Sequence, residues 1–269
     1  MDRYGKECDL GMAITTNNYK PLVKALDKGL DILECFFHNR EELGILEISK
    51  CVDANESTVY RMVKTLEEKG YLLQNANNKK YRLGFQMLDI SGCTVFNRKL
   101  IDIIYKYMKK VYEEVNETIN FAFRANNSVV YLCKIDSADM LRPNFTVGEK
   151  YPTYCTSLGK VLLSELSKEE VMDLFTEPLY QYTENTIKTC EDLLKELDKV
   201  RELGYAVDNE EFSIGIYCLG IPVKVDCLGP KSVGAISIPL PTVRLDKKDK
   251  VLDLLLDIKV QIQNEVKSI

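Results

Sequence analysis

Residues 44–82 read GILEISKCVDANESTVYRMVKTLEEKGYLLQNANNKKYR, and this stretch decides the fold of the first part of the chain. Val59, Met62, Val63 and Leu66 recur at helical spacing and predict one apolar face. At about 100° per residue, Ser57, Arg61 and Lys64 fall on the opposite face, with Tyr60 and Thr65 at its edges. Asn55 stands at the N-cap position, and Gly70 stands where a glycine ends a helix. Leu46 and Ile48 supply the buried side of a preceding helix, Glu47 to Cys51, and Val52 to Asn55 form the turn between the two. Tyr71 to Gln74 reads as a strand, Asn75 to Lys80 as a polar turn, and Tyr81 to Leu83 as the return strand. Helix, turn, helix and hairpin make a winged helix-turn-helix.

Hydroxyls, arginine and lysine on the second helix suit phosphates and base edges. The candidates for DNA contact are Ser57, Thr58, Tyr60, Arg61, Lys64 and Thr65 on that helix, with Lys79, Lys80 and Arg82 on the hairpin. Arg61 suits guanine in the major groove, and Lys64 suits a phosphate. A polar outer face is also what any solvated helix shows. The basic hairpin is the feature that separates the two readings, because fold geometry puts it beside the helix.

A chain of 269 residues is long enough for two domains with cores of their own. The net charge of -5 means that the whole molecule is not a basic nucleic-acid binder. Residues 45–82 nevertheless hold seven Lys/Arg against five Asp/Glu, a local +2 on an acidic body. The nine cysteines contain no Cys-x-x-Cys pair, which argues against a disulfide framework and a zinc site. No leader pattern and no apolar run near ~18 residues is present, so no membrane association and a cytoplasmic location are expected. His38 is the single histidine, and phosphate-loop, dinucleotide and HExxH patterns are lacking. No catalytic residue, cofactor or metal is therefore expected.

Residues 1–19 show no period and read as a mobile arm. Pro21 can open a helix. Leu22, Ala25, Leu26, Gly29, Ile32, Leu33 and Phe36 then form an apolar stripe, so residues 20–84 make the first domain. Residues 85–115 read as a linker helix broken near Ser91 and Gly92. Its apolar positions Ile101, Ile104, Tyr107 and Met108 fit either a plain linker or a dimer seam. From residue 116 to 269 the pattern is mixed. Strands are expected at Thr118–Arg124, Val129–Ile135, Phe145–Val147, Tyr205–Val207, Ile214–Val225 and Ser232–Ile238. Helices are expected at Thr156–Leu166, after Ser167, from Thr189 to Leu203, and from Asp246 onward. The fold class is α+β, an antiparallel sheet with flanking helices.

The runs KALDKGLDILECF, ESTVYRMVKTLEEKGYL and KKYRLGFQML resemble the DNA-binding half of the IclR family of bacterial transcriptional regulators. VGEKYPTYCTSLGKVLLSELS, TENTI, VRELGYAVDNEEFSIGIYCLGIPV and GAISI are similar to its second half, in the same order. The resemblance covers roughly residues 20–265. It implies a winged helix, a linker helix and a GAF-like domain that binds a small effector. It also implies a homodimer or dimer of dimers on double-stranded operator DNA. Carried over, the turn Ser157-Leu158-Gly159-Lys160 matches the loop whose amides meet the effector, and Asp208, Cys218 and Ser237 match positions lining the pocket. Pro239 departs from the family pattern, standing where some members have a second serine. Leu219-Gly220-Ile221 also departs from the usual small-residue run.

Each of these residues has a plainer reading. Cys218 can be a small core residue, Asp208 a turn cap, and Ser237 a neighbour-strand contact. Lys160 can be solvated. A helix N-terminus favours a small anion, such as an organic acid. Asp208 opposes an anion unless it is protonated or accepts from a ligand hydroxyl or amine. Two other functional readings stand beside a ligand-responsive regulator. One is an enzyme carried by the second half, and the other is a protein-interaction module built on the winged helix.

Overall fold

The computed structural model describes residues 21–39, 42–92, 98–143, 145–225 and 233–267. The arm expected over residues 1–19 lies outside them. The chain divides into two compact units between Val95 and Phe96.

In the first unit, helices α1 (Lys24–Asn39), α2 (Ile45–Cys51) and α3 (Glu56–Glu68) precede strands β1 (Leu72–Gln74) and β2 (Tyr81–Leu83). Helix α4 (Gln86–Gly92) follows. The Asn55 side chain accepts from the Thr58 amide at 2.9 Å, which satisfies one of the orphan donors of α3. Gly70 ends the turn after α3 at φ +77°, a conformation that costs a side-chain-bearing residue energy. Val59, Val63, Ile48, Ile32, Phe36 and Leu72 are buried together, with Met62 and Leu66 packed against them. Leu43 pairs with Tyr81, the residue of β2 next to the hairpin turn.

Two expectations fail here. Leu46 does not belong to the buried side of α2, because it is exposed while Ile48 is buried. The expected stripe on α1 is buried only in its second half, at Ile32 and Phe36. Leu22, Leu26 and Leu30 stay exposed, as do Phe85 and Leu88 around the start of α4.

The second unit is built on a six-stranded antiparallel sheet in the order β5-β4-β3-β8-β7-β6. The strands are β3 (Ile119–Ala125), β4 (Ser128–Ile135), β5 (Lys150–Pro152), β6 (Ala206–Asn209), β7 (Ile216–Lys224) and β8 (Val233–Pro241). Helices α5 (Arg98–Val115) and α9 (Lys248–Val266) cover one face, and α6 (Ser157–Ser164) packs on the other. Helices α7 (Lys168–Leu174) and α8 (Cys190–Leu203) lie outside α6. Period-two alternation explains the two faces. Ile119, Phe121, Leu219, Ile221, Ile236 and Ile238 enter the core with α5 and α9. The residues between them face α6.

Buried Glu117 joins the start of β3 to the 3-10 turn Thr242–Lys247. It accepts from Arg244 at two points, both 2.7 Å, and from Lys247 at 2.8 Å.

Helix α5 therefore belongs to the second unit. Of the four residues offered as dimer-seam positions, Ile104, Tyr107 and Met108 are buried within the chain, and Ile101 is half-buried against the same core. No strand forms at Phe145–Val147. The Phe145 ring stacks on Tyr131, and its carbonyl accepts from Lys134, so its apolar character serves packing and not a ladder.

A core position and a seam position differ in their response to truncation. Ile104→Ala should cost about 2–5 kcal/mol of stability. Urea unfolding measures this, and a loss near zero would place Ile104 outside the core. Its sedimentation behaviour below the unfolding transition should match the parent protein.

Candidate functional site

In the first unit, Ser57, Tyr60, Arg61, Thr65, Lys79 and Arg82 are exposed. Thr58 is half-buried, and its amide is the one capped by Asn55. Four of the nine candidates have committed side chains, the first being Ser57, whose hydroxyl donates to Asn55 Oδ1 at 3.1 Å. Lys64 pairs with Glu67 at 2.6 Å and lies over the Tyr60 and Tyr81 rings. Lys80 pairs with Glu47 at 3.0 Å. Thr65 donates back to the Arg61 carbonyl at 2.9 Å. Lys64 is thus partly neutralised by its own helix, which weakens it as a phosphate ligand. Among the described residues, no ion pair engages Arg61, Lys79 or Arg82, and these are the candidate cations presented to solvent. Glu42 holds the hairpin tip by accepting from Asn75 and Asn78, a contact the sequence does not reveal.

In the second unit, a cavity lies between the first turn of α6 and the sheet. Thr156, Ser157, Leu158, Asp208, Cys218 and Ser237 line it, with the rings of Tyr131, Phe145 and Phe212. Strand register brings the polar groups together: Asp208 pairs with Cys218, and Gly220 pairs with Ser237. Gly220 has no room for a side chain, since a Cβ there would lie 2.9 Å from the Ser157 backbone. That contact presses the α6 N-terminus onto β7. The Ser157 and Leu158 amides have no acceptor among the described residues, whereas the Gly159 amide donates to Thr156 Oγ1 at 3.2 Å.

Gly159, expected in the pocket, is not among the lining residues. A Cβ on it would lie 2.1 Å from the Thr153 carbonyl oxygen, so its role is close packing of α6.

The reading of Lys160 as solvated is wrong. It is fully buried, and its ammonium donates to Glu211 at 2.5 Å, with Glu196 at 3.6 Å. Asp208 in turn accepts from the Glu211 amide at 2.8 Å and the Phe212 amide at 3.4 Å. Burial, and then the Glu211 charge, push the Asp208 carboxyl up from 3.8 to about 7. Burial also raises Glu211, against the pull of Lys160, and it raises the Cys218 thiol, which lies in hydrogen-bonding reach of Asp208.

Sequence reasoning also missed Asn120 on β3. It is buried, and neither its amide nitrogen nor its oxygen has a partner. Leaving such a group unsatisfied costs about 1–3 kcal/mol. The available signal was a lone polar residue in the apolar run INFAF. A second, larger cleft of about 490 Å³ is lined by Arg201, Lys224 and Lys259. There Arg201 and Lys259 already donate to the Ser164, Leu166 and Gly204 carbonyls, so the smaller cavity has the better-placed open groups.

Residues 93–264 match the family model described as bacterial transcriptional regulator IclR C-terminal, and residues 25–76 match the IclR helix-turn-helix domain. The chain belongs to the IclR family. It is a transcriptional regulator of that type, with a helix-turn-helix DNA-binding domain and a C-terminal effector-binding domain. It is 36% identical over 227 residues to the HTH-type transcriptional regulator KdgR of Escherichia coli, covering 84% of this chain and 85% of that one. It is 30% identical over 223 residues to the HTH-type transcriptional repressor AllR of Escherichia coli, covering 82% of each. Among solved structures, it is similar to an IclR homologue from Microbacterium hydrocarbonoxydans complexed with 4-hydroxybenzoate. That likeness has a TM-score of 0.80 at 19% identity, over 91% of this chain and 100% of the other. The Thermotoga maritima IclR matches with a TM-score of 0.67 at 26% identity, over 90% and 98%. Among the described residues, no helix of this regulator is long and apolar enough to cross a membrane.

The raised Asp208 carboxyl gives a stability signature. Below its unfolded value both states hold the proton. Between that value and about 7 only the folded regulator holds it, so stability falls as pH rises through this window. Asp208→Asn should flatten that fall, because the amide oxygen can still accept from Glu211 and Phe212. Urea midpoints from about pH 4 to about pH 8 measure it. A wild-type-minus-variant difference that is constant with pH would show that Asp208 does not titrate there.

The buried pair gives a second. Lys160→Met should cost about 3–5 kcal/mol by stranding Glu211. Adding Glu211→Gln should recover part of the loss, and a purely additive double variant would refute the coupling.

Proposed function

We propose that this regulator docks α3 in the major groove, with Arg61 reading a base and Lys79 and Arg82 on the hairpin holding phosphates. We propose further that a small organic acid controls it from the cavity under α6. The observation that carries the second part is convergence. Two open amides of a helix N-terminus, Asp208, Cys218 and Ser237 all meet at one buried point. An acid's carboxylate suits the amides. The raised Asp208 carboxyl removes the charge that would oppose an anion below about pH 7. Asp208 also suits a hydroxyl or amine on the same ligand. The Microbacterium homologue's 4-hydroxybenzoate is itself a hydroxylated acid.

The working unit in this proposal is a homodimer or a dimer of dimers. One helix-turn-helix reads few base pairs, and linked half-sites multiply affinity. Leu22, Leu26 and Leu30, exposed and four residues apart, supply apolar surface for such a contact in place of the buried residues of α5.

Mobility shifts on the DNA upstream of the regulator's own coding region test the assignment. Arg61→Ala should cost about 1–3 kcal/mol and relax preference at one base position. Lys79→Ala should weaken binding evenly across sequences and lower the salt slope by about 1. If both folded variants bind like the parent, the DNA assignment fails. Thermal-shift titration with small organic acids, on the parent and on Asp208→Asn with Ser237→Ala, tests the cavity. An acid that alters operator binding equally in both must sit elsewhere.

A further inference from the structure

We propose that Asn120 selects the effector by hydrogen-bonding a hydroxyl at the end of the molecule remote from its carboxylate. The ligand class is then a hydroxylated small acid, not a plain aliphatic one. This rests on the cavity assignment above and adds to it a residue and a chemistry.

Asn120 lies on β3 between Ile119 and Phe121, whose side chains enter the core with α5 and α9. Alternation along the strand turns Asn120 to the other face, where α6 packs. Its direct partner on β8 is Ser237, a residue that lines the cavity. Directly paired residues share a face, with Cβ atoms about 4.5–5.5 Å apart. The row continues in both directions. Ser237 pairs with Gly220, against which the first turn of α6 is pressed, and Asn120 pairs with Lys134 on β4. From Gly220 to Asn120 is two strand spacings, roughly 9–10 Å. The cavity is small, about 10 Å³, and Asn120 is not in its wall but one strand beyond Ser237. A short carbon chain anchored by its carboxylate at the Ser157 and Leu158 amides would therefore cross Ser237 and reach Asn120 only as the Tyr131 and Phe145 rings move aside.

The side chain itself states what it lacks. It is fully buried, and both its oxygen and its nitrogen are without a partner among the described residues. The neighbouring Lys134 ammonium is taken by the Phe145 carbonyl at 2.7 Å and Asp136 at 2.9 Å. A carboxamide has an acceptor and two donors. A carboxylate could only accept from it, and an alkyl end could do neither. A hydroxyl both donates and accepts, and it satisfies a group whose two functions are both open. Sites built this way discriminate sharply, because the analogue without the hydroxyl leaves the buried amide unpaired.

The test uses the full-length regulator and three probes: hexanoate, 6-hydroxyhexanoate and D-gluconate. Calorimetry and thermal shift should show at least one hydroxylated acid binding the parent at least ~100-fold more tightly than hexanoate. In Asn120→Leu that preference should fall below ~10-fold, while hexanoate binding holds or improves. Asn120→Ser provides a second variant should the leucine not fit, with the same direction expected. Asp208→Asn with Ser237→Ala should weaken the two hydroxylated probes. An unchanged preference in Asn120→Leu and Asn120→Ser, with the double variant impaired, overturns the role of Asn120 and leaves the cavity standing. Unchanged binding in the double variant overturns the cavity and this inference together. So does a parent protein that binds none of the three probes, or that binds hexanoate as tightly as the hydroxylated acids.

Discussion

The ammonium of Lys160 sits inside the protein with no exposed surface, and the second unit is arranged to satisfy it. Glu211 takes the charge at 2.5 Å. An isolated buried ammonium would be far too costly, so Glu211 has to be held where it is. Asp208 holds the Glu211 amide, and Thr186 donates to the Glu211 carbonyl at 2.6 Å. Thr183 donates to the Glu210 carbonyl at 2.6 Å. The segment after β6 and the segment before α8 are therefore tied to α6 through one charge pair. The same ties hold Asp208 beside the α6 N-terminus, where the cavity lies.

Close packing makes that arrangement rigid. All eight residues of α6 are buried, which is unusual for a helix carrying a lysine. Gly159 lets one side of the helix touch Thr153, and Gly220 lets the helix start touch β7. Helix position, amide direction and strand register are thus fixed by backbone contact. Aromatic rings close the remaining space: Tyr131, Phe145, Tyr151 and Phe212 contact one another in series. A ligand in this cavity has to move rings, because the helix and the sheet have no slack.

What could be read from the sequence depended on how local the cause was. The cap at Asn55, the glycine at 70, the capping box at Ser167 and Glu170, and the αL glycine at 204 are all contacts within a few residues, and all were legible. Helix α5 shows an apolar stripe that states burial but not the partner. The partner is α9, more than a hundred residues later, so Ile104 and Met108 could be taken for a seam. Phe145 was misread because an apolar residue that packs a cavity wall has the same letter as one in a strand. Lys160 was misread because nothing within its own helix predicts Glu211, fifty-one residues away. Gly159 was assigned to the pocket by likeness alone, and its neighbour Thr153 is set by tertiary packing. Asn120 carried a faint signal, since a buried strand seldom holds a carboxamide without giving it a bond.

Asp208 looks at first like the wrong residue for a cavity proposed to hold an acid. Its environment resolves the conflict. The carboxyl is buried, faces the Glu211 charge, and is raised to about 7, so it keeps its proton far more readily than an exposed carboxyl does. A second negative charge brought to the adjacent α6 N-terminus would raise it further by the same electrostatics. A carboxylate ligand would then enter together with a proton, and the net charge carried into the site would be zero. Lys160 need not turn toward the ligand, and its bond to Glu211 can stay intact. In the proposal, an α6 terminus that hosts an anion and a buried lysine that stays with its own partner are compatible because Asp208 can take up that proton.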